Sequence, residues 1–135
     1  GVAPVGIRPL ARATSANFNT PADQPITIPQ RITAFQLTGI LVTKASISLT
    51  TAVGGFYPAA SKGGVPIVPV IQTYSMLTNN SLLLNLTLSS FGQNTRFSAS
   101  NLGSISNFMA MWFSLTTPQG AAATADVYLL GLDLS

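Results

Sequence analysis

The sequence contains no cysteine, no histidine and no glutamate, and its acidic side chains are limited to Asp23, Asp126 and Asp133. Without cysteine there is no disulfide framework and no thiolate metal site. Without histidine or cysteine the common acyl-transfer triads and papain-like pairs cannot be built, and zinc loses its usual nitrogen and sulfur ligands. Charged residues make up 7% of the chain, against about 25% in an ordinary soluble domain. Long apolar runs are missing too, since none approaches the roughly 18 residues of a membrane span. The opening residues from Gly1 lack the charged start and apolar block of a secretion signal. A myristoylation pattern would need a hydroxyl where Val5 stands. The expectations are no cofactor, no metal and no membrane.

What replaces the charge is Ser, Thr, Asn and Gln around a hydrophobic content of 47%. A disordered chain has little to bury, so this composition points to a packed domain with a neutral, hydroxyl-rich surface. Free proteins usually keep a charged, mixed surface to stay dispersed. A surface this neutral is expected to be covered in part by neighbouring subunits. At 135 residues the chain reads as one domain, able to hide about two-thirds of its unfolded surface. The net charge is +3 and the pI near 9.8, but the basic residues are scattered, with only Arg8 and Arg12 close together. Nucleic-acid readers concentrate such charge in stripes, so no nucleic-acid partner is expected.

Residues 1–25, GVAPVGIRPLARATSANFNTPADQP, hold four prolines and no sustained periodicity. Proline removes a donor and disfavours sheet interiors. The segment reads as an extended N-terminal arm lying along a neighbouring subunit, anchored by Ile7, Leu10 and Phe18, with Arg8 and Arg12 meeting acidic patches. The bland alternative is a frayed terminus.

After Pro29 the pattern has a period of two, the spacing of a half-buried strand. In AFQLTGILVTKASISL the odd positions Phe35, Leu37, Leu41, Ala45, Ile47 and Leu49 are apolar, with a bend expected near residues 43–46 and Ile40 and Val42 interrupting the polar face. Leu82, Leu84, Leu86 and Leu88 take one side of the next run. Met109, Met111, Phe113 and Leu115 alternate after it, and Tyr128, Leu130, Leu132 and Leu134 close the chain. IVPVIQTY is β-prone, with Pro69 demoting it to an edge or bulge. Turn clusters such as Thr78-Asn79-Asn80 and Thr117-Pro118-Gln119-Gly120 separate the runs. The expected fold is all-β, an antiparallel β-sandwich of jelly-roll type spanning residues 26–135.

The stretch TTAVGGFYPAASKGGVPIVP could be a phosphate loop or a chain reversal. A phosphate loop needs Gly-x4-Gly-Lys-Ser/Thr; here Lys62 precedes Gly63 and no hydroxyl follows it. The better reading places Gly54-Gly55 and Gly63-Gly64 at positive φ around an excursion, with Phe56, Tyr57 and Lys62 as a partner-contacting loop. Ser61 and Lys62 are sequence neighbours, which point to opposite faces of a strand and make a poor dyad. Asp126 and Asp133 have opposite parity on the last strand, which counts against a paired-carboxylate glycosidase. The Asn79 and Asn85 triplets match a glycosylation pattern common by chance. Trp112 reads as core or subunit-interface packing, with ligand stacking as the alternative.

Two stretches, TTAVGGFYPAASKGGVPIV and SLTTPQGAAATADVYLLG, resemble those of small β-rich structural proteins of tailed bacteriophages. The resemblance covers about residues 31–131 and brings no catalytic residues with it. It implies a virion component and does not fix which one. Together with the neutral surface, the arm and the missing catalytic set, it makes a non-enzymatic capsid decoration or cement protein on the outer surface of the particle the first expectation. Such a protein would form a homo-oligomer, expected as a trimer, and clamp the major capsid protein or other virion subunits. The alternative is a head- or tail-fibre base, adaptor or receptor-binding domain. A third class is a hydrolase using Asp126 or Asp133.

Overall fold

The alternation at the end of the chain becomes β9 (Thr124–Asp133) of a computed structural model that describes residues 6–135. Strand β9 lies between β1 (Arg8–Asn17) and β3 (Ala34–Thr43), antiparallel to both. The free side of β3 is shared by β5 (Leu83–Leu86) and β6 (Arg96–Ser98). A second sheet has the order β2 (Gln24–Thr27), β8 (Phe108–Thr117), β4 (Val53–Tyr57), with β7 (Ser104–Ile105) beside the start of β8. One helical turn, α1 (Ser90–Asn94), is capped by Ser89, whose hydroxyl accepts the Gly92 N–H. The protein is an all-β antiparallel sandwich.

The core between the sheets is aromatic at its centre. Phe113 packs against Phe18, Phe56 and Tyr74 with ring centroids 4.8, 5.0 and 6.2 Å apart, separations at which ring pairs attract beyond their buried area. Tyr74 keeps its hydroxyl satisfied in the interior by donating to the Gly54 carbonyl at 2.9 Å. Burial, with Tyr57 nearby, pushes the Tyr74 phenol far above its ordinary range.

The N-terminal arm is corrected. Its residues 1–5, Val5 among them, lie outside the described residues, but residues 8–17 are a strand of the sandwich itself. Leu10 and Phe18 are 2% and 0% exposed in this chain's own core and anchor nothing on a neighbour. The prolines misled because β1 and β2 are both outermost in their sheets, where a missing N–H is tolerated; Pro9 and Pro25 sit there. The connection between the two strands is closed by one side chain: Gln24 accepts the Asn17 N–H at 2.8 Å and donates to the Asn17 carbonyl at 2.6 Å.

Two further expectations change. In β3 the register slips between Leu37 and Gly39. An extra residue at a bulge reverses which side chains face inward. Phe35 and Leu37 point to the core, but beyond the slip Ile40 and Val42 do so, at 0% exposure, and Leu41 turns outward. Gly54 and Gly55 are strand residues without positive φ. They are glycines because β4 is hemmed in: a Cβ on Gly54 would stand 2.4 Å from the Leu115 Cα, and one on Gly55 2.2 Å from the Val68 carbonyl oxygen. The positive φ values of the excursion fall at Ser61, Lys62 and Gly64. The β-prone run 67–74 forms no strand, but bridges from Val68 and Thr73 cover the free side of β4.

Candidate interaction surface

The outward face of the β2-β8-β4 sheet is clothed by its own chain. Residues Ala110, Trp112 and Ser114 of β8 and Tyr57 of β4 point away from the core cluster yet are at most 6% exposed. Asp23 fastens the cover. Its carboxylate accepts the Ser114 hydroxyl at 2.8 Å and the backbone N–H of Ser61, while Lys62 Nζ donates to the Pro21 carbonyl at 3.2 Å. These bonds hold Ser61 and Lys62 in the left-handed conformation, which costs a residue with a Cβ about 1–2 kcal/mol. On the other side Gly103 lies flat on the indole, where a Cβ would come within 2.6 Å of Trp112 Cη2.

The partner-contacting loop is therefore corrected as well. Phe56 and Tyr57 are 0% and 2% exposed inside β4, and Lys62 is half-buried with an intramolecular partner. Trp112 is packed beneath the chain's own loops, in agreement with its packing reading. The Tyr57 hydroxyl is buried without a hydrogen-bond partner among the described residues. Burial, and then the Asp23 charge, raise its pKa. Replacing Tyr57 by Phe removes a donor that has no protein acceptor. The expected outcome is stability unchanged or raised by up to about 1 kcal/mol, read as the urea midpoint.

The opposite outer face, on the β1-β9-β3-β5 sheet, is built differently. Ala125, Val127, Leu129 and Gly131 of β9 point inward, so Asp126, Tyr128, Leu130 and Leu132 point outward. The register sets their neighbours. Tyr128 stands between Arg12 of β1 and Leu41 of β3, with Asn85 of β5 completing the row; Leu130 lies between Pro9 and Gly39. Leu132 is followed by Gln36 and then Arg96 of β6, and Asp126 by Thr43 and then Leu83. Leu83 is 62% exposed. The result is an apolar stripe of Tyr128, Leu130, Leu132 and Leu41 in the middle of a sheet face. Arg12 and Asp126 lie on its flanks.

Of the expected contact residues, Ile7, Arg8 and Arg12 remain accessible, Ile7 at 65% exposure. Arg12 alone among the expected set is placed on the apolar face by its register. The stripe itself was visible in the sequence as one parity of β9, but alternation does not say which parity faces the core. Leu41 was hidden by the bulge.

The acidic residues are not assembled into a catalytic group. Asp126 accepts the Ser15 N–H at 2.8 Å. Asp133 accepts both the N–H and the hydroxyl of Ser135, and these bonds, helped by Arg8 and Arg31, hold its carboxyl below the usual range. Seven residues of strand put Asp126 and Asp133 about 23 Å apart, far beyond the roughly 5–10 Å between paired glycosidase carboxylates. Among the described residues no group of three or more His, Cys, Asp or Glu comes together. A cavity of 150 Å³ between Ile28, Ile32, Ala99 and Met109 is smaller than the roughly 300 Å³ at which ligand pockets begin. No described helix is long and apolar enough to cross a membrane.

No protein family, no curated protein and no solved structure matches this chain.

Proposed function

We propose that the chain is a non-enzymatic structural subunit of a bacteriophage particle, of the capsid decoration or cement type. It oligomerises through the outer face of the five-stranded sheet and contacts the major capsid protein or other virion subunits on the outer surface of the shell. The observation that carries this reading is the contrast between the two outer faces: one is buried beneath the chain's own loops, while the other keeps Tyr128, Leu130, Leu132 and Leu41 only half-buried. A contiguous apolar patch on a soluble domain marks an interaction site. The charge-poor composition supports the same reading, since subunits buried against one another need few charges. Successive strands β1 to β5 alternate between the sheets, as do β8 and β9. We read this as a jelly roll, an architecture used by capsid proteins.

Labelling intact particles from the source with an antibody against this chain tests the proposal. Even labelling over the shell is the expected result. Labelling confined to a vertex or tail would replace decoration with a fibre-base or adaptor role, and unlabelled particles would overturn the virion reading.

A further inference from the structure

We propose that residues 59–65 form a flap that opens and closes while the sandwich stays folded, with Asp23 as its latch. The flap belongs to the covered side of the β2-β8-β4 sheet, and its working is independent of what meets the opposite face.

No core side chain holds the flap down, although its roots are firm. Pro58 is buried and its carbonyl accepts the Gly103 N–H at 2.9 Å. Ile67, at 0% exposure, donates its N–H to the Phe56 carbonyl at 2.8 Å. Between these roots no residue from Ala59 to Val65 belongs to the core cluster, and Val65 is 57% exposed. The neck is narrow, since a Cβ on Gly64 would stand 2.8 Å from Pro58 Cγ. A segment with few buried apolar contacts is of the kind that opens locally, below the free energy of global unfolding.

What holds the flap is polar and strained. The Ser61 N–H donates to Asp23 Oδ2, and Lys62 Nζ donates to the Pro21 carbonyl at 3.2 Å. Ser61 and Lys62 are the central residues of a turn closed by the Gly63 N–H on the Ala60 carbonyl at 3.1 Å, and both have positive φ. Turns of that kind favour Asn and Gly, so a Ser-Lys pair relies on its two bonds to residues 21–23. The Tyr57 hydroxyl is the third element. It is buried with no partner among the described residues, and the Asp23 charge acts on its phenol, which places it near the latch. A buried donor without an acceptor carries a cost that water removes. Opening therefore gains the hydration of Tyr57 and the relief of two left-handed residues, and loses the Asp23 and Lys62 bonds. Opposed terms of this kind let strain serve a reversible change. Asp23 itself stays seated, because its Oδ1 accepts the Ser114 hydroxyl of β8 at 2.8 Å. The open state thus frees Asp23 Oδ2 for a donor from outside the chain.

The test is native-state hydrogen exchange on the full chain, with the Phe18 amide, bonded to the Ala123 carbonyl, as the core reference. The Ser61 amide of the native protein is expected to be at least about tenfold less protected than that of Phe18. Asp23→Ala is expected to widen this ratio at least about tenfold further, the weight of a hydrogen bond to a charged acceptor. Tyr57→Phe removes the group that gains from hydration, and is expected to narrow the ratio about two- to fivefold. Acetylation of Lys62, referred to the exposed Lys44, should follow the same order in the three proteins. A general loss of stability in Asp23→Ala lowers the protection of Phe18 as well, so the ratio separates an opened flap from a weakened fold. Equal protection of Ser61 and Phe18 in the native protein would overturn the proposal. So would a ratio that Asp23→Ala leaves in place, or one that Tyr57→Phe does not move, since a cover fixed by packing alone has no use for that hydroxyl.

Discussion

Gly131→Ala is expected to destabilise the protein by at least about 3 kcal/mol, through overpacking at a site that cannot relax. Gly131 sits on β9, paired with Arg8 on one side and Leu37 on the other. An added methyl would stand 2.1 Å from the Gln36 carbonyl oxygen, 3.0 Å from its carbon and 3.0 Å from Leu10 Cδ1. Two of those three atoms are backbone, so no rotamer change relieves the clash. Strands β9 and β3 must separate, and their pairing is the spine of the five-stranded sheet. For a domain of this size the melting temperature should fall by about 10 °C or more. Gly39, which has no neighbouring atom within 4 Å of an added methyl, is the control. Gly39→Ala should leave the melting temperature within a few degrees, and equal losses for both variants would contradict the packing argument.

Phe18→Ala is expected to cost about 3–5 kcal/mol, the range for emptying a buried aromatic site. Phe18 is 0% exposed, with its ring 4.8 Å from Phe113 and 5.1 Å, edge-on, from Tyr74. Its backbone is engaged as well: the Phe18 N–H donates to the Ala123 carbonyl at 2.9 Å, and its carbonyl accepts the Gln119 N–H at 2.8 Å. Urea unfolding of the variant should show a lowered midpoint with an unchanged slope. A docking arm predicts the contrary, full stability with weakened association, and that result would restore the arm. The same geometry governs truncation. Removing residues 1–25 takes away β1, Phe18 and the start of β2, so the product is expected to be unfolded rather than merely unable to dock.

The class of fold was legible because period-two alternation survives in β5, β8 and β9 with few interruptions. Two physical effects hid the rest. Edge strands tolerate proline, so Pro9 and Pro25 imitated an irregular arm where β1 and β2 stand. A bulge shifts parity without leaving a mark in composition, so Leu41 was placed inward and Ile40 and Val42 were read as oddities. The same limit applied to the surface. Tyr128, Leu130 and Leu132 were grouped correctly on one face. Only the partners of β9 decide that this face looks outward, and those partners lie far away in sequence. Phe56 and Tyr57 failed as contact residues for a related reason. Their two glycines were read as turn formers, whereas close approach of Leu115 and Val68 is what excludes a side chain there.

The pairing of Arg8 with Gly131 and of Asn17 with Thr124 has a consequence for synthesis. Strand β1 leaves the ribosome first among the strands, yet its neighbour in the sheet is made last. Until residues 124–133 emerge, both β1 and the long side of β3 present unpaired backbone to whatever else is nearby. Contacts so distant along the chain also make for slow folding. Transiently unpaired edges of this kind favour mispairing, and β9 is the stitch that joins β1 to β3 and completes the five-stranded sheet.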